Sequence, residues 1–372
     1  TLAEVLARLE ATIHSRMETD PSVSYTARLL ADPALAAKKL GEEAIETVIA
    51  AVEKDRRALE VVKVVLHYDA GPGLAARLAE MPGLDITICP EHDDTRLWGA
   101  LRDAEVLWHS LKPCTEAVIA AAPKLRLIQK IGIGVNTIDL EAAAARGIAV
   151  CNLPGSNAPA VAEMALMLML ATLRRLPQFD ASLRRGIFHP TPAVQDHLEE
   201  LGGKTVGLLG YGAIPQRLAP VLQALGCRVV YHSRTPRPGA CADYVDFETL
   251  IRGSDILSLH IPLTPETEGV ICAGTLARMK PRAILINTAR GGLVDQVALT
   301  AALAGGHLGG AGLDVFAVEP PDPDDPLFML DNVVVAPHVA WVTRGTFERS
   351  FATAAENCRR LRAGEALLHR VR

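Results

Sequence analysis

From Val62 onward the chain alternates short, almost wholly apolar runs with longer stretches in which Ala and Leu recur at helical spacing. Runs of this kind, rich in β-branched residues, form strands buried on both faces, and their alternation with helices marks a parallel sheet covered on both sides. The first series predicts strands at Val62–His67, Ile86–Ile88, Val106–Trp108, Leu127–Ile131 and Ala149–Cys151. A long apolar helix from Pro159 to Arg175 then leads through a stretch containing proline and charge into a second series. That series comprises Thr205–Leu209, Arg228–Tyr231, Ile256–His260, Ala283–Asn287, Gly310–Val315 and Val333–Ala336. After Thr343 the pattern becomes that of one amphipathic helix, suited to packing back on the first unit. An α/β chain with two doubly wound parallel-sheet units follows.

The first sixty residues have a different texture. They predict two helices, Leu2 to Met17 and Ala36 to Lys54, separated by a loop that carries Asp20-Pro21 and Asp32-Pro33, and a boundary falls near residue 61.

Composition narrows the functional classes. A chain of 372 residues, 49% apolar and 22% charged, has core enough for two or three domains. Its formal charge of −5 and the lack of a Lys/Arg block argue against a nucleic-acid or anionic-membrane partner. The longest apolar run, Val161 to Leu173, includes Glu163 and is too short to span a bilayer. Seven cysteines, an odd number without a C-x-x-C pair, suggest neither a disulfide framework nor a metal site and fit a reducing cytoplasm.

Chemistry enters at Lys204-Thr-Val-Gly-Leu-Leu-Gly210-Tyr-Gly212-Ala213-Ile214-Pro215, a buried strand running through a glycine turn into a helix. Gly210 permits the tight turn, and Gly212 lets the backbone approach a pyrophosphate. The helix start at Ala213 and Ile214 offers unpaired N–H groups and the positive end of a dipole. A Rossmann-type dinucleotide site is expected. Pro215 replaces the third glycine of the fingerprint, a position in the first helical turn where proline costs no hydrogen bond. At the end of the next strand an NAD site would place a carboxylate on the ribose. Here Ser233, Arg234 and Thr235 follow instead, so NADP(H) is the preferred cofactor, with NAD(H) possible.

Three polar residues close apolar runs in the C-terminal half: Arg290, Glu319 and His338. Strand C-termini of an open α/β sheet are where ligands sit. Reducing a 2-oxo acid by hydride needs a cation for the carboxylate and carbonyl oxygen, and an acid to protonate that oxygen. Arg290 offers a planar fork for the first task, and His338 a proton for the second. A neighbouring carboxylate favours the protonated imidazole and fixes its orientation, and Glu319 is the candidate.

From Val62 to the C-terminus the chain resembles the D-isomer-specific 2-hydroxyacid dehydrogenases, the group that includes glyoxylate, hydroxypyruvate and D-lactate reductases. The resemblance is carried in order by KIGIGVNTIDL (130–140), CNLPGSNAPAVAEMALMLML (151–170), GLLGYGAIP, LHIPLTPETEGVI (259–271), INTARGGLVDQVAL (286–299), GAGLDVFAVEPP (310–321) and APHVAW (336–341). It implies a substrate domain of residues 62–157 plus 341–372, a dinucleotide domain of 158–340, and a cleft between them. It also implies Arg290, Glu319 and His338 in the roles above, Asp314 facing the nicotinamide carboxamide, and cofactor contacts at Pro262 and Ala289. The backbone at Ile133 and Gly134 is implied to hold the substrate carboxylate, and Trp341 resembles members acting on glyoxylate or hydroxypyruvate. Asn136-Thr137 departs from the more common Asp-Asn. The implied partners are a small 2-oxo or 2-hydroxy acid and a second copy of the chain.

Residues 2–57 resemble a different family, the phosphoribosyl-ATP pyrophosphohydrolases, through SRMETDPSVSYTARLLA and KKLGEEAIETVIAAVEKD. Glu42, Glu43 and Glu46 share one helical turn and could form one side of a Mg²⁺ site, but the acidic helix that supplies the other side in that family is missing. The expectation is a short helical extension (residues 1–60) without pyrophosphohydrolase activity and without a metal. A pyrophosphohydrolase fusion and a nucleotide-sensing binding protein of dehydrogenase fold are the alternatives.

Overall fold

The computed structural model describes residues 61–188 and 192–372. The helices expected at Leu2–Met17 and Ala36–Lys54, with Glu42, Glu43 and Glu46, lie outside the described residues.

Strands β1 (Val62–His67), β2 (Leu84–Cys89), β3 (Val106–His109), β4 (Leu127–Lys130) and β5 (Ala149–Cys151) form one sheet in the order β2-β1-β3-β4-β5. Strands β6 (Thr205–Leu209), β7 (Arg228–His232), β8 (Asp243–Tyr244), β9 (Ile256–Leu259), β10 (Ile284–Asn287), β11 (Gly310–Leu313) and β12 (Val333–Val335) form a second, in the order β12-β11-β10-β9-β6-β7-β8. All the strand pairs within both sheets are parallel. The helices are α1 (Pro72–Ala79), α2 (Asp94–Leu101), α3 (Glu116–Ala120), α4 (Leu140–Ala145), α5 (Ala158–Arg174), α6 (Leu176–Arg184) and α7 (Pro192–Gln195). They continue with α8 (Ala213–Ala224), α9 (Phe247–Gly253), α10 (Ala273–Arg278), α11 (Gln296–Ala304) and α12 (Arg344–Ala363).

In each sheet the chain enters near the middle, winds to one edge, then crosses back past its first strand and winds to the other. Loops at the strand C-termini diverge at that crossing and leave a crevice, beside β1 and β3 in one sheet and beside β6 and β9 in the other. The apolar runs become strands because they are buried on both faces: β3, β4, β9, β10 and β11 are buried at every residue.

Helix α5 joins the two units. Its Val161 lies in the core of the first sheet, while Leu168, Met169 and Leu173 lie in that of the second. The C-terminal segment returns to the first sheet as its amphipathic pattern requires. Thr343 caps α12 by accepting from Thr346 N–H at 3.1 Å, Phe351 packs on the buried Trp108 ring at 5.2 Å, and Asn357 donates to Gln129 Oε1 at 2.7 Å. The chain end then runs beside β5, with Val371 N–H donating to Val150 O at 2.7 Å.

Two elements carry no legible signal in the sequence. The proline-containing stretch after α5 is itself helical, because Pro177 occupies the first turn of α6, where its missing donor had no partner to lose. Strand β8, two exposed residues at the sheet edge, has no apolar run. The seven cysteines are free, and among the described residues no helix is long and apolar enough to cross a membrane.

Candidate active site

The glycine turn after β6 is held by sterics. Gly210 has φ +98°, and a Cβ there would fall 2.5 Å from the His260 carbonyl oxygen, so only glycine fits. Gly212 is the residue before α8, and a Cβ there would meet nothing within 4 Å, which leaves its backbone open to the cleft. Pro215 is the third residue of α8, where an N–H would have no intrahelical acceptor.

A cleft of about 920 Å³ opens here, lined by loops from both sheets: Ile133, Gly134 and Asn136 on one side, Gly212 to Pro215, His260, Pro262 and Thr288 to Arg290 on the other. Three of its lining residues carry buried polar atoms without a protein partner, Asn157 Oδ1, His260 Nδ1 and Thr288 Oγ1. Buried polar atoms are normally paired, so these three are groups that a polar ligand would satisfy. Burial pushes His260 down to about 3, which keeps its ring neutral, with Nε2 2.9 Å from Ser258 Oγ. The residues present therefore fit a dinucleotide lying across the α8 N-terminus. Sequence reasoning misses Asn157, His260 and Thr288, since nothing in their spacing distinguishes them from core polar residues.

At the end of β7, Ser233 Oγ donates to Thr235 O at 2.7 Å, so its hydroxyl is engaged within its own turn. Arg234 and Thr235 are exposed, as is Arg237, whose N–H donates to Tyr231 Oη at 2.8 Å. No carboxylate occurs between His232 and Ala240.

The three polar residues of the C-terminal half come together. His338 Nδ1 lies 2.7 Å from Glu319 Oε2, and the other Glu319 oxygen accepts from Phe316 N–H at 3.0 Å. Burial alone would raise the Glu319 carboxyl; the bond and charge of His338, the Phe316 N–H and Arg290 outweigh it and hold the group below its ordinary value. With Nδ1 engaged, Nε2 is the ring atom left to exchange a proton with a ligand. Arg290 is half-buried, and burial lowers it against the opposing charge of Glu319, although a guanidinium keeps its proton in any case. Its Nε donates to Asn136 Oδ1 at 3.3 Å and its Nη1 to Ala289 O at 2.7 Å. Asn287 holds the loop beneath by donating to Arg290 O at 2.9 Å and accepting from Ala289 N–H at 3.0 Å.

His338 adopts φ +54°, a left-handed conformation that costs a non-glycine residue on the order of 1 kcal/mol and has to be held from outside. Asp314 does this: its carbonyl accepts from His338 N–H at 2.8 Å, and its carboxylate accepts from Val339 N–H at 2.8 Å and Ala340 N–H at 2.9 Å. Burial raises the Asp314 carboxyl, with these N–H groups opposing. The residue expected to face the cofactor thus also fixes the backbone that carries His338. Trp341 follows as a buried side chain, 8% exposed, whose ring meets Tyr68 at 5.7 Å and Phe347 at 5.5 Å.

At the facing loop, Gly132 O accepts from Leu153 N–H at 2.8 Å and Ile133 O from Asn152 Nδ2 at 2.9 Å, while the N–H groups of Ile133 and Gly134 have no acceptor among the described residues. A Cβ on Gly134 would fall 2.0 Å from Arg290 Nη2, so the absence of a side chain is what lets the guanidinium reach this loop. Two N–H groups without an acceptor beside a guanidinium are donors that a carboxylate would satisfy.

A family model described as D-isomer specific 2-hydroxyacid dehydrogenase, NAD binding domain, matches residues 166–340. A glyoxylate reductase of Thermococcus litoralis is 44% identical over 252 residues, 66% of this chain and 76% of that protein. The chain belongs to the D-isomer-specific 2-hydroxyacid dehydrogenases. Another relative in that family, a D-3-phosphoglycerate dehydrogenase of Mycobacterium leprae, is 41% identical over 278 residues, 73% of this chain, and the chain spans only 52% of its length. In structure the dehydrogenase fold is shared with the TT0316 protein of Thermus thermophilus, at TM-score 0.76 and 37% identity, over 84% of this chain and 100% of that one. A second family model, phosphoribosyl-ATP pyrophosphohydrolase, matches residues 6–81. Within that match, the described residues from 61 onward are β1, which lies in the first dehydrogenase sheet, followed by α1 and the turn after it.

Proposed function

We propose that this chain reduces a small 2-oxo acid of the glyoxylate or hydroxypyruvate kind to its 2-hydroxy acid, with NADPH preferred over NADH. The observation that carries this reading is the His338–Glu319 contact of 2.7 Å, with the Glu319 carboxylate within electrostatic reach of Arg290, which lines the cleft together with the loop of unpaired N–H groups. Residues 62–157 with 341–372 serve as the substrate domain and 158–340 as the dinucleotide domain, with residues 1–60 outside the reaction. The protein works in the cytoplasm, where its free cysteines stay reduced, and pairs with a second copy of itself.

When bound, the reduced nicotinamide supplies the hydride. Gly210 and Gly212 with the N–H groups at Ala213 and Ile214 hold the pyrophosphate, and Pro262, Ala289 and Asp314 bound the nicotinamide end. Arg290 takes the substrate carboxylate and polarises its carbonyl oxygen, while the N–H groups of Ile133 and Gly134 complete the carboxylate seat. His338 donates its Nε2 proton to the carbonyl oxygen as charge develops there and ends as neutral imidazole, and Glu319 stabilises the ring in its charged form beforehand. Trp341 backs the substrate pocket from its aromatic cluster. Arg234 gives a 2′-phosphate a cation where an NAD site would present a repelling carboxylate.

The test is the initial rate of NADPH and of NADH oxidation with glyoxylate, hydroxypyruvate and pyruvate. The expected result is turnover with glyoxylate or hydroxypyruvate and a kcat/KM about tenfold higher for NADPH, as one charge-assisted contact supplies. Comparable efficiency with NADH would reject the role given to Arg234, and no turnover with any 2-oxo acid would reject the reaction.

A further inference from the structure

Strand β4 ends in a buried cation that the reaction as described does not use. Lys130 is 3% exposed, and its ammonium is surrounded by neutral acceptors: the Ser110 carbonyl, Thr137 Oγ1 at 3.3 Å and His109 Nδ1 at 3.4 Å. His109 is fully buried, with Nε2 2.8 Å from Lys112 O, so its ring proton points there and the Nδ1 lone pair faces Lys130. Burial and the Lys130 charge push His109 down to about 3, which leaves the ring neutral.

Among the described residues no carboxylate bonds Lys130. The groups whose charge reaches it are Arg290 from the loop after β10, Glu91 from the loop after β2, and Cys114 before α3; Lys112 and His67 bear on His109 behind it. Burial pushes the Cys114 thiol up to about 12, so it carries no charge near neutral pH. Glu91 is the one anion of this set, and its Oε1 accepts from Leu111 N–H at 3.4 Å instead. A buried cation without its own counter-ion is costly, and a negative charge brought beside it would offset that cost and favour the charged ammonium.

The geometry shows where it would arrive. The Lys130 stem lies against the 132–137 loop, with a Cβ on Gly132 lying 3.6 Å from Lys130 Cε, while Arg290 meets the same loop at Gly134, where a Cβ would fall 2.0 Å from its Nη2. Thr137, which the ammonium holds, closes that loop. Two cations therefore meet one short backbone segment whose N–H groups have no acceptor among the described residues.

We propose that Lys130 is a positioning residue for the substrate carboxylate: the 2-oxo acid is the counter-charge that Lys130 and Arg290 share, and Lys130 acts through the 132–137 loop without touching the substrate. This rests on the reading above that the loop seats the carboxylate. Burial, with Arg290 adding to it, pushes the Lys130 ammonium down to about 7. The ammonium is thus present below neutral pH and lost above it, and anion binding weakens as pH rises through that point.

The experiment measures KM for glyoxylate at saturating NADPH for the wild type, Lys130→Met and Lys130→Arg from about pH 6 to about pH 9, with NADPH affinity by fluorescence. Wild-type KM should rise about tenfold more across this window than that of Lys130→Arg, whose guanidinium keeps its proton. Lys130→Met should start about tenfold above the wild type at the acid end and lose that difference at the alkaline end, with kcat within about threefold and NADPH affinity unchanged. Any contribution of His338 is common to all three chains. Equal KM values for Lys130→Met and the wild type at every pH, or parallel pH profiles for the wild type and Lys130→Arg, would overturn the proposal. Should Lys130→Met fail to bind NADPH, the wild-type and Lys130→Arg profiles decide alone. A wild type without turnover on any 2-oxo acid is the failure of the proposed reaction; turnover with parallel profiles is the failure of Lys130 alone.

Discussion

The chemistry proposed for this chain depends on how single residues are held. His338 sits in a left-handed backbone that Asp314 clamps through three N–H groups, and its ring is oriented by Glu319 at 2.7 Å. Replacing Glu319 by Gln keeps the size of the side chain and removes the carboxylate that orients the ring. The kcat/KM of reduction at neutral pH should fall by about tenfold to a hundredfold, measured beside the wild type. An unchanged kcat/KM would mean that Glu319 only fills space. The same carboxylate bears on stability: held below its ordinary value, it contributes where pH lies above the usual carboxylate range, and that contribution is lost as pH falls through its folded value. Arg290, Glu319 and His338 are legible in the sequence because each ends an apolar run. Lys130 is not, because a lysine at the end of a strand ordinarily reaches solvent, and only the packing of His109, Ser110 and Thr137 around it shows otherwise.

At the scale of elements, the apolar runs specify most strands to within a residue or two, since burial on both faces leaves little choice of residue. The glycine turn is legible for the same reason: Gly210 needs both a positive φ and a close approach to His260, and no other residue satisfies both. What the pattern cannot show is the role of glycines set by a distant partner. Gly291 is one, since a Cβ there would fall 1.8 Å from the Phe316 carbonyl, so the loop that carries Arg290 and the loop that leads to Glu319 touch backbone to backbone. That contact brings the cation and the carboxylate together, and it joins residues whose sequence separation gives no local signal. Helix α6 is hidden because its proline reads as a break, although in a first turn proline removes a donor that had no partner.

Across the whole molecule, two doubly wound sheets joined by α5, with α12 folded back on the first, set the loops of both around one cleft. That arrangement is legible from the order of the series, whereas the closeness of the cleft loops depends on packing that no local pattern encodes. Met167 and Leu170 on α5, Leu176 and Leu183 on α6 and Ile187 just after it are exposed, and α6 buries none of its residues. Large apolar side chains exposed along successive elements suit a protein interface, and the second copy proposed above would cover them. Light scattering should give twice the chain mass, and a double Leu176→Glu, Leu183→Glu variant the single mass. A wild type of single mass would refute the pairing and leave the chemistry standing.

The central claim is that the imidazole at 338 supplies the proton that completes reduction of a 2-oxo acid. Its most direct test is kcat for NADPH-dependent glyoxylate reduction by His338→Gln, with NADPH affinity measured on the same sample. The expected kcat is lower by at least about a hundredfold, with NADPH affinity unchanged. A variant that binds NADPH normally and keeps the wild-type kcat would contradict it.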